Sequence, residues 1–193
     1  MLGVSLISFF LLVSLSMGKI ANPTSFGINT GTQGWGVSVH RAWRISSIYE
    51  GVFEIRFYDV KGSDEFVFYN NLGGTETINE KSLVISPVFA GFRYYPFEGK
   101  IENNFSPFVT LKAGPLFIFD GNEEITSFIE RWKKAETHLT FGGHAGIGVK
   151  FLSSNVSSIS VSAGLDIFPM NRNIDEQSQY NGLLFQFEFS WWK

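Results

Sequence analysis

Apolar and polar residues alternate with period two through most of this chain, in runs of roughly ten to thirteen residues. A strand sends successive side chains to opposite faces, so each run predicts a strand with one greasy and one wet face. In "NGLLFQFEFSWWK" (181–193), Leu183, Phe185, Phe187, Phe189 and Trp191 share one parity, while Gln186, Glu188 and Ser190 share the other. "GWGVSVHRAW" (34–43) sets Trp35, Val37, Val39 and Trp43 against Ser38 and His40, with Arg44 next in that polar series. "YEGVFEIRFYDV" (49–60) opposes Tyr49, Phe53, Ile55 and Phe57 to Glu50, Glu54 and Arg56. The same pattern opposes Val109, Leu111, Ala113 and Phe117 to Thr110 and Lys112 in 107–119. Leu139, Phe141, Ala145, Ile147 and Val149 oppose Thr140, His144 and Lys150 in 139–151. Ile159, Val161, Ala163, Leu165 and Ile167 oppose Ser158, Ser160, Ser162 and Asp166 in 158–168. Segment 83–96 is apolar on both parities, and only Arg93 marks its polar side.

These seven strands gain an eighth in "SFGINTG" (25–31), turned by Thr32, Gln33 and Gly34. Connections 44–47, 96–105 and 152–157 are short, whereas 60–82, 120–138 and 169–181 are longer and more polar. Tight turns at one end and long loops at the other characterise membrane barrels, whose tilted strands need about 9–11 residues to cross. Strands of soluble proteins usually stop at about five or six. The expected fold is therefore all-β: a closed antiparallel up-and-down transmembrane barrel of eight strands, its aromatic face towards lipid. A soluble lipocalin-like barrel would fill its inner face with apolar side chains. Here the apolar parity is the continuous one, and the charges lie on the other.

Composition fits one domain with much apolar surface: among 193 residues, aromatics reach 17% and Phe occurs 21 times. A net charge of −3 without a basic cluster gives no field for nucleic acid. The absence of cysteine excludes disulfides, thiolate metal sites, a cysteine nucleophile and a lipoprotein anchor. "MLGVSLISFFLLVSLSMG" (1–18) has signal-peptide length and ends on the small-x-small pattern Ser16-Met17-Gly18, although it lacks a positive n-region. Cleavage there would leave 19–193 as the barrel domain.

The chain resembles the bacterial outer-membrane β-barrel superfamily of small eight-stranded proteins. The likeness rests on the spacing of Tyr180, Gly182, Phe185 and Phe187, which matches the family's C-terminal assembly signal, and on "SPFVTLKAGPLF" and "GGHAGIGVKF". The family usually ends on an aromatic residue, whereas here Lys193 follows Trp192. The resemblance implies bacterial outer-membrane localisation and contact with outer-membrane lipid and lipopolysaccharide. It also implies delivery by the barrel-assembly machinery through the C-terminal strand, and a monomer.

Projected inwards, the polar parity assembles Glu50, Glu54, Arg56, Arg93, Lys112, Lys150, Asp166 and Glu188, with His40 and His144. Eight strands enclose a space that side chains fill, and charges buried there need partners. A structural ionic network is the expected use, with a proton or ion path as the sharper alternative. Some family members are enzymes acting on lipopolysaccharide with a His-x-Ser pair. This chain has His138 with Thr140 and His144 with Gly146, and only the reversed Ser38–His40 spacing, so no catalytic residue is assigned. No metal-ligand spacing and no cofactor motif appears. In 122–136, Ile125, Phe128, Ile129 and Trp132 fall on one helical face, capped by Asn122, which predicts a short amphipathic helix on the rim. "FVFY" (66–69) is expected to extend the barrel above the membrane. The expected function is a barrel that stabilises the envelope or offers its long loops for adhesion or ligand contact. The alternative is a lipid-modifying enzyme or a carrier of a small apolar solute.

Overall fold

A computed structural model describes residues 22–60, 66–69, 75–78, 82–101, 104–121, 128–154, 156–174 and 177–192; the expected signal peptide lies outside them. Eight strands form the wall: β1 (Thr24–Gly31), β2 (Gly34–Arg44), β3 (Tyr49–Val60), β6 (Leu83–Tyr94), β7 (Phe105–Asp120), β8 (Glu136–Ser154), β9 (Ser157–Ile167) and β12 (Gly182–Trp191). They close in the order β1-β12-β9-β8-β7-β6-β3-β2, every neighbouring pair antiparallel. The eighth strand expected at the N-terminal end is the one that closes the seam, pairing Thr24 with Trp191 through Gly31 with Leu184.

Between the wall strands lie β4 (Phe66–Tyr69), β5 (Thr75–Ile78), α1 (Phe128–Lys133), β10 (Pro169–Ile174) and β11 (Gln177–Gln179). β4 and β5 pair as a two-stranded sheet of their own rather than prolonging β3 and β6. The expected helix over 122–136 needs correction at its C-terminal end. Its described part spans only the six residues Phe128–Lys133, and β8 has already begun at Glu136. The β7–β8 ladder runs from Phe105↔Phe151 to Asp120↔Glu136, so strand pairing takes the last residue of the span the sequence offered to the helix. Residues 122–127, with Asn122 and Ile125, lie outside the described residues. At the long-loop end the first connection is only Thr32-Gln33, and Gly34 follows with φ +151°, a backbone conformation suited to glycine.

Pro87 interrupts the β3–β6 ladder, where it has no N–H to give. Ser86 Oγ donates instead to the carbonyl of Arg56 at 2.8 Å. The outer face is apolar: Phe26, Ile28, Phe57, Leu111, Phe141, Ile147, Leu165, Phe185, Phe187 and Phe189 are all exposed. So broad an apolar surface is costly in water and is what a bilayer-facing barrel presents. Tyr49 stacks on Tyr94 at 5.1 Å and Phe105 meets Phe151 edge-on at 5.5 Å, both near the short-turn end.

The inner face is layered, which alternation did not reveal. Towards the long loops it is apolar, with Tyr58, Val60, Leu83, Ile85, Phe89, Leu116, Ile118 and Leu184 packed against Phe168, Ile174 and Tyr180. The expected charged lumen therefore occupies only the middle and the short-turn end. The physical reason lies in 83–96, whose apolar residues on both parities supply an inner as well as an outer apolar face.

Candidate functional site

The middle layer of the lumen is built from inward positions of seven strands. Glu54 lies at its centre, fully buried. Its Oε1 accepts Arg56 Nε–H at 2.8 Å, and its Oε2 is ion-paired with Lys112 Nζ. Arg56 reaches across the barrel, Nη1 donating to Asp166 Oδ2 at 2.7 Å. Asp166 Oδ1 lies 2.8 Å from His144 Nδ1, its direct cross-strand partner. Small residues make space for these groups. Gly91 sits opposite Lys112, and Glu188 stands between Gly27 and Ser160. A Cβ at Gly164 would come within 2.7 Å of the His144 ring, so glycine is what admits the imidazole.

Arg93 Nη2 donates to Glu188 Oε1 at 2.5 Å, and its guanidinium lies 5.0 Å from the centroid of Phe108. Towards the short turns, Glu50 accepts from Lys150 Nζ at 3.2 Å and from the Tyr95 hydroxyl at 2.7 Å. Tyr95 lies in the turn just beyond β6. Burial, and next the neighbouring Glu50 carboxylate, push its phenol well above its ordinary range, so it stays a donor. Arg44 and Ser106 close the mouth onto Glu98, each at 3.0 Å. A pocket of about 70 Å³ remains there, lined by Arg44, Glu50, Tyr95, Glu98, Ser106 and Lys150 among others.

His40 lies where its spacing placed it, on the inner face beside Ser38. Its Nε2 lies 2.8 Å from Ser38 Oγ, while Nδ1 faces Glu54 and Glu188 at 3.8 and 3.9 Å. Glu54 comes from the adjacent β3 and Glu188 from β12, and neither comes within hydrogen-bond distance of Nδ1. Ser38 Oγ also accepts Asn29 Nδ2–H at 3.0 Å. Both Ser38 and His40 are 1% exposed, which leaves the hydroxyl no approach for a substrate. Among the described residues, no group of three or more His, Cys, Asp or Glu is placed to hold a metal ion.

Sequence reasoning missed the polar seam where the barrel closes. Ser25 Oγ meets Ser190 Oγ at 2.7 Å, and Gln186 Nε2 donates to Asn29 Oδ1 at 2.6 Å. The parity of Ser25 and Asn29 in the eighth strand was the available signal. Tyr180 packs into the apolar layer and donates to the Ile174 carbonyl at 3.0 Å, Gly182 begins β12, and Phe185 and Phe187 point outwards. Of the rim-helix residues, Trp132 is half-buried, while the side chains of Phe128 and Ile129 lie outside the described set, as does Ile125. Arg131 Nη1 donates to Ser82 Oγ at 2.8 Å, tying α1 to the start of β6.

No protein-family model and no curated protein sequence matches the chain. Solved structures do resemble it. Neisserial surface protein A is 6% identical, with 88% of this chain and 94% of that one covered and a TM-score of 0.60. The attachment invasion locus protein Ail of Yersinia pestis is 10% identical over 89% and 95% of the two chains, with a TM-score of 0.44. The N-terminal β-barrel domain of Pseudomonas aeruginosa OprF is 11% identical over 89% and 98%, with a TM-score of 0.45. At 6% identity the first of these likenesses is one of architecture, and architecture is what it adds to the closed barrel and its apolar belt. The chain has the fold of the small eight-stranded bacterial outer-membrane β-barrels.

Proposed function

We propose that this chain is an integral outer-membrane barrel with a closed lumen, stabilising the envelope and offering its long-loop end for contact with ligands or other surfaces. The observation that carries this reading is the filling of the interior. Glu54, Arg56, Lys112 and Glu188 are all at most 4% exposed, and the apolar layer of Phe89, Leu116, Ile85 and Leu184 lies above them. Eight strands leave no channel once side chains of this size occupy the lumen. The apolar outer belt supports insertion, with the short turns and both strand termini at the periplasmic end. Delivery through β12 by the barrel-assembly machinery, contact with lipopolysaccharide and a monomeric state belong to the same reading.

Planar-bilayer recording tests it. The purified barrel should give no steady conductance, and stable nanosiemens-scale openings from the wild type would replace the closed lumen by a transport path. Cell fractionation tests the location independently: recovery from the soluble periplasm without detergent would refute membrane insertion.

A further inference from the structure

Among the described residues of the eight wall strands, the outward parity carries two charged side chains: Asp59 near the long-loop end, and Arg41 near the short turns. A cation on the lipid face is unfavourable in the middle of the bilayer and tolerable only near its interface. Arg41 is half-buried on the wall, and its Nη1 donates to Thr24 Oγ1 at 2.7 Å. Thr24 is the first residue of β1 and pairs with both Trp191 and Arg41, so this bond draws the guanidinium down to the row of an aromatic strand end. Trp43, one pleat nearer the turn, lays its indole over Gly51, where an added Cβ would fall 2.2 Å from the ring.

A guanidinium has five N–H donors in a fixed fork that matches phosphate oxygens. Thr24 engages one nitrogen of Arg41. That leaves further donors of the fork for an anion at the bilayer interface. The anion available at that depth is the phosphodiester of a lipid headgroup. We infer that Arg41, held by Thr24 and flanked by Trp43 and Trp191, is a binding site for the phosphate of a glycerophospholipid in the leaflet at the short-turn end. Lipopolysaccharide is the less fitting occupant, because the short turns of such barrels lie on the periplasmic side. This inference rests on the membrane reading given above.

Native mass spectrometry of the wild-type barrel released from detergent micelles supplies the test, with dimyristoyl phosphatidylglycerol and dimyristoylglycerol as probes. The two share acyl chains and differ in the phosphate. One phosphatidylglycerol should be retained and the diacylglycerol should not, a comparison that needs no variant. Arg41→Gln and Thr24→Val, verified as folded by their heat-modifiable gel mobility, should retain about tenfold less phospholipid, as expected for loss of a charge-assisted bond. Equal retention of the two probes, unchanged retention by folded Arg41→Gln, or preferential retention of lipopolysaccharide would overturn the site. Failure of the membrane reading looks different: the wild type would then stay soluble and monomeric without any detergent.

Discussion

Arg93→Met isolates the energetics of the lumen better than any other single change. Among the described residues, Arg93 supplies the one short ionic contact of Glu188, at 2.5 Å, and the next cationic candidate, His40 Nδ1, stands 3.9 Å away. Glu188 is 1% exposed, and among the described residues its Oε2 has no hydrogen-bond partner even in the native arrangement. Methionine removes the cation and leaves the carboxylate in a low-dielectric interior, for which roughly 3–5 kcal/mol of destabilisation is expected. The lost stacking on Phe108 lies within that figure, since a cation–π contact contributes about 0.5–2 kcal/mol. The double variant Arg93→Met/Glu188→Leu should recover most of the loss, because apolar replacement of a whole buried pair is often neutral or stabilising by about 1–4 kcal/mol. Arg44→Met provides the surface control. Its pair with Glu98 is exposed, Arg44 by 58%, and should contribute less than about 1 kcal/mol. Urea unfolding from phospholipid vesicles, followed by the fluorescence of the five tryptophans, measures all three. The reasoning fails if Arg93→Met is no more destabilising than Arg44→Met, or if the double variant is worse than the single one.

Other perturbations probe separate parts of the fold. Phe187→Arg, on the outer face in the central part of β12, should cost about 2–4 kcal/mol in the same unfolding assay, whereas Trp191→Arg at the strand end should cost about 0–1 kcal/mol; equal costs would mean the outer face is not in a bilayer. Gly164→Ala places a Cβ 2.5 Å from the Ala145 carbonyl and 2.7 Å from the His144 ring, so overpacking of roughly 1–3 kcal/mol is expected, and an unchanged midpoint would disprove the close fit. Arg131→Ala removes the bond to Ser82 and should speed trypsin cleavage at Lys133 and Lys134 without altering the unfolding midpoint.

Much of the fold was legible because period two depends only on local spacing. It placed Glu54, Arg56, Lys112, Asp166 and Glu188 on one face, and that face lines the lumen. It could not show which charge meets which, since Arg56 and Asp166 lie 110 residues apart and are joined only by closure of the barrel. Nor could it reveal the Glu carboxylates behind His40, which arrive from β3 and β12. The apolar inner layer escaped for another reason. Where both parities are apolar, as in 83–96, alternation carries no information about which side is inside. The C-terminal end of the helix in 122–136 was set too late, because Glu136 pairs with Asp120 at the end of the long β7–β8 ladder.

The closing seam shows what the polar interior contributes beyond stability. A one-residue slip between β1 and β12 would turn Gln186, Glu188 and Ser190 towards lipid and the aromatic row of Phe185, Phe187 and Phe189 into the lumen. Such a slip is prohibitive, but a two-residue slip preserves parity and is opposed chiefly by specific pairs. Those pairs are Ser25 with Ser190 at 2.7 Å and Asn29 with Gln186 at 2.6 Å. Replacing Asn29 and Gln186 together by Val removes this pair, along with the bond from Asn29 to Ser38 and the longer contacts of Gln186 with Ser38, His40 and Glu54, so register control is lost at some cost in stability. The chain has no cysteine, which makes disulfide trapping clean. Cysteines at Phe26 and Phe189, which face each other in the native register, should crosslink fully in the otherwise native barrel. Cysteines at Phe26 and Phe187 report the slipped register, and their crosslinking should rise only when Asn29→Val and Gln186→Val are both present. If that slipped crosslink stays absent in the double variant, the seam's register is fixed by the assembly of the wall as a whole, and the polar pairs would be passengers of closure rather than its guide.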